Sequence, residues 1–176
     1  MTEHSDGDKV VEKYQLLQPG LKKGSNFKKL VLVKKEECED WCRQHATATE
    51  KAWIEDQGFQ AETGQVLPLP NAEGASTRVL VGMDPLDPWD FAKCIALLPQ
   101  GSYQFCPESL KKPYPWQDML VVWGLASYQF TRYKIGQEPT IFLEMPSLPE
   151  VDSAEITATL AAIFLVRDMV NTPAED

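Results

Sequence analysis

The sequence is poor in the residues that carry out most enzyme chemistry. It has two histidines, His4 near the start and His45 further on, and neither lies beside a recognisable nucleophile motif. The G-x-S-x-G elbow, the P-loop and the G-x-G-x-x-G fingerprint are all absent. These absences argue against serine-hydrolase, P-loop and dinucleotide chemistry on this chain, and we expect no catalytic residue here.

Long hydrophobic runs are also missing. No apolar stretch reaches the roughly 18 residues that a membrane span needs. Residues 1–8 are polar and acidic, without the basic start and apolar core of a signal peptide. We therefore expect a cytoplasmic protein without membrane contact. The cysteines agree with that compartment, because four irregularly spaced thiols suit a reducing environment: Cys38, Cys42, Cys94 and Cys106.

Two short clusters resemble metal sites. Cys38 and Cys42 lie four apart on a predicted helix and so share a face, with His45 as the nearest third ligand. Asp84, Asp87 and Asp90 recur at every third position. The first cluster lacks a fourth ligand. The second contains prolines, and one of its members is needed as a helix cap. Reduced structural thiols and a capped loop are the preferred interpretations, and no metal or cofactor is predicted on this segment.

The charge balance is acidic. Seventeen Lys and Arg face 26 Asp and Glu, for a net charge of −9, which disfavours nucleic-acid binding. One basic cluster could form a local patch for nucleic acid and consists of Lys22, Lys23, Lys28, Lys29, Lys34 and Lys35. The preferred interpretation is a solvated border around an edge strand. Residues 128–134 mix aromatics with Arg132 and Lys134. They could form a stacking surface for nucleic acid, but a helix C-terminus is favoured.

Alternating strand and helix signals predict an α/β domain with helices on both faces of a mostly parallel or mixed sheet. Strands are predicted at 14–17, 30–33, 59–62, 65–69, 78–82, 102–105 and 140–145, with 59–62 and 65–69 forming a hairpin around Thr63-Gly64. Helices are predicted at 35–44, 50–57, 88–98, 116–130 and 153–170.

Local signals mark the helix ends. Thr47-x-x-Glu50 and Asp152-x-x-Glu155 have capping-box spacing, and Asp87 precedes a proline at a first helical position. Gly58 suits the left-handed residue that ends a helix. Gly124 lies inside a helix, where glycine costs about 1 kcal/mol against alanine, and this predicts close packing against a neighbour.

Several segments resemble the N-terminal domain of the leucyl (cytosol) aminopeptidases. Residues 123–134 (WGLASYQFTRYK) resemble a helix of that domain ending in an aromatic-Arg-Tyr-Lys pattern. Residues 167–176 (RDMVNTPAED) resemble the end of the interdomain helix and the Asn-Thr-Pro segment that opens the catalytic domain, although Glu175 stands where the family often has Asn. The features at 59–61, 64, 67–70, 79–82 and 98–103 occur in the family's order. The resemblance covers residues 29–176.

The resemblance implies a three-layer α/β/α fold like that of macro domains. It also implies a parent enzyme that removes N-terminal residues from peptides, commonly as a hexamer. Two divalent metal ions, zinc, manganese or magnesium, would activate a bridging water in the catalytic domain. That domain's Gly-Lys-Gly, Asp-Ser-Gly-Gly and Asn-Thr-Asp-Ala-Glu-Gly-Arg segments are absent, and Pro173 stands where a ligand Asp would be. No catalytic or metal-binding residue is therefore carried over.

These observations divide the chain into three expected parts: a weakly ordered N-terminus at 1–26, an N-terminal α/β domain at 27–150, and an interdomain helix with the start of a linker at 151–176. The expected function is that of a non-catalytic domain, produced here without its catalytic half, which serves assembly and active-site access. Its expected partners are the catalytic domain, sister subunits and, for the parent, peptide substrates. The alternative is a stand-alone macro-like module that binds an ADP-ribose-type nucleotide.

Overall fold

A computed structural model describes residues 16–17, 27–71, 73–84, 87–126, 128 and 141–173, with backbone alone at 16–17. Predictions that fall on residues 1–15, 18–26, 127 and 129–140 lie outside the described residues. In the described ranges no helix is both long enough and apolar enough to span a bilayer.

One sheet of six strands organises the described part of the chain, in the order β1-β6-β5-β2-β4-β3. The strands are β1 (Leu16–Leu17), β2 (Phe27–Val33), β3 (Val66–Pro70), β4 (Ser76–Gly82), β5 (Gly101–Phe105) and β6 (Ile141–Glu144). Every pairing is parallel except that of β3 with β4. The predicted α/β class with a mixed, mostly parallel sheet is confirmed.

Helices cover both faces of this sheet. A 3-10 turn (Lys35–Glu37) leads into α1 (Cys38–His45), which is followed by α2 (Ala48–Asp56), α3 (Pro88–Ile95), α4 (Pro107–Leu110), α5 (Trp116–Ala126) and α6 (Ser153–Asn171). Because side chains alternate along a strand, β2 sends Leu30 and Leu32 into one core and Val31 and Val33 into the other.

The two cores differ in size. The larger core packs α3, α5 and α6 on the sheet and contains the big aromatic side chains, among them Phe91, Trp116 and Trp123. The smaller core packs α1 and α2 on the opposite face around Ile54 and Phe59. Helices on both faces of one sheet give the three-layer α/β/α arrangement that was predicted.

The predicted strand at 59–62 and its hairpin with 65–69 were wrong, whereas the strand predicted at 65–69 is β3. Residues 59–62 form no strand. Instead, β3 pairs with β4, so the hairpin connection lies at 71–75. The reason is the Gln65 side chain, whose Oε1 accepts hydrogen bonds from the Gln60 and Glu62 N–H groups and holds that segment as a loop. An alternating pattern cannot reveal such a side-chain contact.

β2 is a central strand and not the edge strand around which the lysine cluster was placed. It pairs with β4 on one side and with β5 on the other. Lys28 and Lys34 lie near its opposite ends, about 20 Å apart at 3.3 Å per residue, so the described lysines form no continuous patch. Lys28 also donates to the Gln100 carbonyl, and Lys35 forms an ion pair with Glu62.

The predicted N-cap residues are confirmed, but the second capping box is incomplete, because Asp152 N–H donates to Gln117 Oε1 and not to Glu155. The capping box between Thr47 and Glu50 is complete in both directions at the start of α2. The Asp87 side chain accepts from Trp89 N–H, and that of Asp152 accepts from Ala154 N–H and Glu155 N–H. Gly58 has φ +60°, as expected for the residue that ends α2.

Gly124 lets α6 approach α5 closely. A Cβ at this position would lie 2.7 Å from Leu160 Cδ2 and closer still to Cδ1. Leu160 is fully buried in the larger core, where close packing limits how far its side chain can shift. The prediction of close packing at Gly124 is confirmed, and the neighbour is α6.

A buried ion pair fixes α2 to the sheet. Arg78 on β4 donates to Glu50 Oε1, and the Glu50 side chain is 10% exposed. Burial raises the pKa of Glu50, but the Arg78 hydrogen bond and the two bonds from Thr47 outweigh it and hold the pKa below its ordinary value of 4.5. Glu50 therefore stays ionised where it joins α2 to β4.

Gly124→Ala should lower the free energy of unfolding by about 1–2 kcal/mol. The close contact with two Leu160 carbons places the overpacking cost at about 2–3 kcal/mol, the upper part of its usual range, and the better helix propensity of alanine offsets about 1 kcal/mol of that. Urea unfolding measures the change. The cost should shrink in a Leu160→Ala background, where the space is open. An unchanged or stabilised Gly124→Ala protein would contradict the close approach.

Glu50→Gln should lower the free energy of unfolding by about 1–3 kcal/mol at pH 7, because it leaves Arg78 without its anionic partner. The folded-state pKa of Glu50 is lowered, so the stability it contributes is present above its unfolded pKa and is lost as pH falls through the folded pKa. The difference from wild type should therefore shrink below about pH 4.5. Denaturant unfolding at pH 7 and pH 3 tests this, with exposed Glu55→Gln as the control. A pH-independent difference is the contrary result.

Candidate functional site

The aspartate cluster forms no metal site. The Asp87 carboxylate accepts from Trp89 N–H as the cap of α3. Asp90 is buried in the first turn of the same helix, and its Oδ1 accepts from Lys93 Nζ at 2.6 Å. Both carboxylates therefore have structural partners, and Asp84, two residues after the end of β4, lines a pocket.

The thiols of α1 lie beside a groove between α1 and α2. This groove, about 390 Å³, is lined by Cys38, Cys42, Ile54 and Phe59 together with four charged residues. Burial raises the pKa of Cys38 to about 11 and also raises that of Cys42, so both thiols stay protonated and are poor nucleophiles and ligands. The His45 ring packs against Trp41 at 5.8 Å between centroids.

Across the described ranges, no group of three or more His, Cys, Asp and Glu residues could hold a metal ion. The two metal ions that the family resemblance implies therefore find no ligand set in these residues.

A second pocket of about 390 Å³ opens at the carboxyl ends of β2 and β4. Open α/β sheets commonly bind ligands outside the carboxyl ends of their strands. Charged side chains dominate the lining, which consists of Lys34, Lys35, Glu36, Ala61, Glu62, Thr63, Met83 and Asp84. We refer to it as the strand-end pocket.

Backbone contacts hold one wall of the strand-end pocket. Ala61 has φ +53°, an uncommon value for a residue with a side chain. Gly82 lies directly against it, since a Cβ there would be 2.6 Å from the Ala61 carbonyl carbon. Gly64 N–H donates to the Gly82 carbonyl, and Gly82 N–H donates to that of Gln65. The wall is therefore fixed by the end of β4.

The electrostatics of this pocket are mixed. Lys35 Nζ lies 2.9 Å from Glu62 Oε1, and this hydrogen bond raises the pKa of Lys35. Within the described part of the chain, the side chains of Lys34 and Glu36 form no hydrogen bond or ion pair. The pocket thus presents an ammonium group and a carboxylate that are open to a ligand.

The second half of α6 carries an exposed apolar strip. Leu165, Val166, Met169 and Val170 are 61, 59, 68 and 79% exposed. Positions i, i+1, i+4 and i+5 share one face of a helix. The opposite face holds Ile156, Leu160 and Phe164, all of them buried in the larger core. One helix therefore anchors in the domain and offers an apolar surface to solvent, which we call the α6 strip.

Polar contacts secure the end of α6 behind this strip. Tyr128 Oη donates to Asp168 Oδ1 at 2.9 Å and accepts from Asn171 Nδ2 at 3.2 Å. The Arg167 guanidinium stacks over the Tyr128 ring and donates to the Leu125 carbonyl. Tyr128 thus lies under α6, in line with a packing role; the rest of segment 129–134 lies outside the described residues.

Neither of these surfaces was predicted from the sequence. The bounds of the predicted helix 153–170 do not show which of its faces is buried, and Val170 at its end is 79% exposed. The sequence gives one sign of the strand-end pocket: a charged residue comes one or two positions after each of two buried strands, at Lys34 and Asp84. Loop 60–63, which closes the pocket, gave no such signal.

The family models and the solved structures lead to the same family. A family model described as the M17 aminopeptidase N-terminal domain matches residues 29–146, well over half of the chain. Among solved structures, the cytosol aminopeptidase from Coxiella burnetii is 30% identical with a TM-score of 0.78, and the match covers 92% of this chain and 34% of that one. None of the curated proteins that were compared matches the chain.

A more distant structure shows the fold alone. The bottromycin maturation enzyme BotP is 19% identical with a TM-score of 0.56, over 86% of this chain and 34% of that one. The chain thus spans about a third of the length of each of these two enzymes. Its sheet order, its two-sided helix layers and the match to residues 29–146 lead to one assignment: the chain belongs to the M17 aminopeptidase family and corresponds to that family's N-terminal domain.

Proposed function

We propose that this chain is the non-catalytic N-terminal domain of a metal-dependent, leucyl-aminopeptidase-like exopeptidase. The catalytic domain of that parent would hold two zinc or manganese ions and hydrolyse N-terminal residues from peptides. Support comes from the family match and from the third of a cytosol aminopeptidase that the chain spans. The missing metal motifs of the sequence favour placing the chemistry on another domain.

The α6 strip carries this proposal. Scattered exposed apolar residues are ordinary, but a contiguous apolar strip on a helix commonly marks an interface. The strip lies on the helix that follows the matched region 29–146, and it approaches Asn171-Thr172-Pro173, the segment that resembles the family's linker. The occupant of the strip is therefore the parent's own catalytic domain.

The remaining roles follow from this placement. A domain fixed to the catalytic domain through α6 can shape access to the active site and contribute contacts to neighbouring subunits in a hexamer. The four cysteines lie unpaired, which suits a cytoplasmic enzyme. The acidic net charge of −9 supports peptide rather than nucleic-acid partners.

The alternative, an ADP-ribose-type ligand, finds its natural place in the strand-end pocket, since such ligands bind at strand carboxyl ends. The lining argues against it. The lining contains three carboxylates and two ammonium groups, those of Glu36, Glu62, Asp84, Lys34 and Lys35. The pyrophosphate of such a ligand would therefore meet a net negative charge.

The purified chain should not hydrolyse leucine p-nitroanilide in the presence of Mn²⁺ or Zn²⁺, because its described residues offer no ligand set for two ions. Absorbance of released nitroaniline measures this, and the Coxiella burnetii cytosol aminopeptidase serves as the positive control. Turnover by this chain that disappears with a chelator would refute the non-catalytic assignment.

Replacing Met169 with Gln and Val170 with Thr together should change the free energy of unfolding by no more than about 0.5 kcal/mol, because both side chains are exposed. The matched control is Phe164→Ala on the buried face of the same helix, which should cost about 3–5 kcal/mol. In the complete enzyme the double variant should weaken domain docking, seen as faster proteolysis near residue 172. A large loss of stability in the isolated chain would show that the strip packs within this domain.

A further inference from the structure

The strand-end pocket has the position and size of a binding site for a small molecule. It opens where β2 and β4, two parallel neighbours, end at the same edge of the sheet. Its volume of about 390 Å³ lies at the lower end of the roughly 300–1,000 Å³ of typical ligand pockets. A metabolite of a few carbons is a better fit than a dinucleotide.

One wall of the pocket is already formed. Ala61 keeps a left-handed backbone (φ +53°) although its side chain disfavours this conformation, and such strain commonly occurs at functional sites. The Gln65 amide oxygen and the end of β4 hold this loop in place. A ligand that binds here does not need to order the wall, and this lowers the entropic cost of binding.

Four of the five charged groups in the lining form a satisfied pair and an open pair, and Asp84 is the fifth. Lys35 and Glu62 neutralise each other at 2.9 Å. Lys34, which is half-buried, and Glu36, which is exposed, have no side-chain partner in the described part of the chain. They stand two residues apart, at the end of β2 and in the 3-10 turn that follows. Two open groups of opposite sign match a ligand that carries both charges.

We propose that the strand-end pocket binds a free α-amino acid with an apolar side chain. Lys34 binds the ligand's carboxylate, Glu36 binds its ammonium group, and the side chain lies toward Ala61 and Met83, the apolar members of the lining. Because the two ligand-binding charges are partly exposed to solvent, the affinity is weak, with Kd of about 0.1–10 mM.

This binding involves the strand-end pocket alone and does not depend on the role of α6 in domain docking. Only its biological meaning rests on the proposed function, because an aminopeptidase releases free amino acids as products. An inactive chain that fails to bind leucine would refute the pocket proposal and leave the domain assignment intact. A chain with peptidase activity of its own would refute the assignment and leave the binding result standing.

NMR titration of the ¹⁵N-labelled 176-residue chain with L-leucine tests the proposal. The amide signals of residues 34–36, 61–63 and 83 should shift and saturate. N-acetyl-leucine lacks the ammonium group and leucinamide lacks the carboxylate, so each should bind at least about tenfold more weakly than leucine, which corresponds to the loss of one charged contact.

Two variants separate the roles of the charges. Lys34→Gln should weaken the binding of leucine about tenfold and leave the residual binding of leucinamide unchanged. Glu36→Gln should weaken the binding of leucine by a similar factor and leave the binding of N-acetyl-leucine unchanged. Lys111→Gln and Glu73→Gln change the same charges at exposed positions outside the pocket and should bind leucine as wild type does. The spectra themselves report whether each variant is folded.

Three outcomes would overturn the proposal. The first is the absence of saturable shifts at residues 34–36 and 61–63 up to about 20 mM leucine, well beyond the expected Kd. The second is equal affinity for leucine and its two single-charge analogues, which would show that the pocket does not recognise both the ammonium group and the carboxylate of the ligand. The third is tighter binding of ADP-ribose than of leucine at the same residues.

Discussion

The contact between Gly124 and Leu160 fixes where α6 lies, and the functional account depends on that position. Because no Cβ separates them, α6 approaches α5 closely enough for Ile156, Leu160 and Phe164 to enter the larger core. The helix is thereby part of the domain and not a free connector. Its second half then projects apolar side chains into solvent from a rigid base. The Tyr128, Arg167 and Asp168 contacts reinforce that base at the far end of α5.

β2 supplies the second constraint. It is paired on both sides, and Leu30 to Val33 are nearly fully buried, so its two faces contribute side chains to the two cores. β2 ends at Val33, and the charged residues 34–36 that follow line the same pocket as the loop that Gln65 holds in place. The same strand thus organises the hydrophobic interior and places Lys34 and Glu36 at the mouth of a pocket.

Local rules predicted the parts of the fold that depend on neighbouring residues. Thr47, Asp87 and Asp152 cap helices as expected, and β-branched runs form strands, because both effects act over a few positions. The predictions failed where contacts between residues far apart in the sequence determine the structure. The order of strands made β2 central, and the Gln65 side chain turned 59–62 into a loop. The α6 strip escaped prediction because an apolar periodicity does not say which face meets the domain and which meets a partner.

The central claim is that α6 belongs to this domain on one face and contacts a catalytic domain on the other. Hydrogen–deuterium exchange of the chain, alone and within the complete aminopeptidase, tests it most directly. We expect residues 156–164 to be protected in both states, and residues 165–171 to gain protection only when the catalytic domain is present. Unchanged exchange at 165–171 in the complete enzyme would contradict the claim.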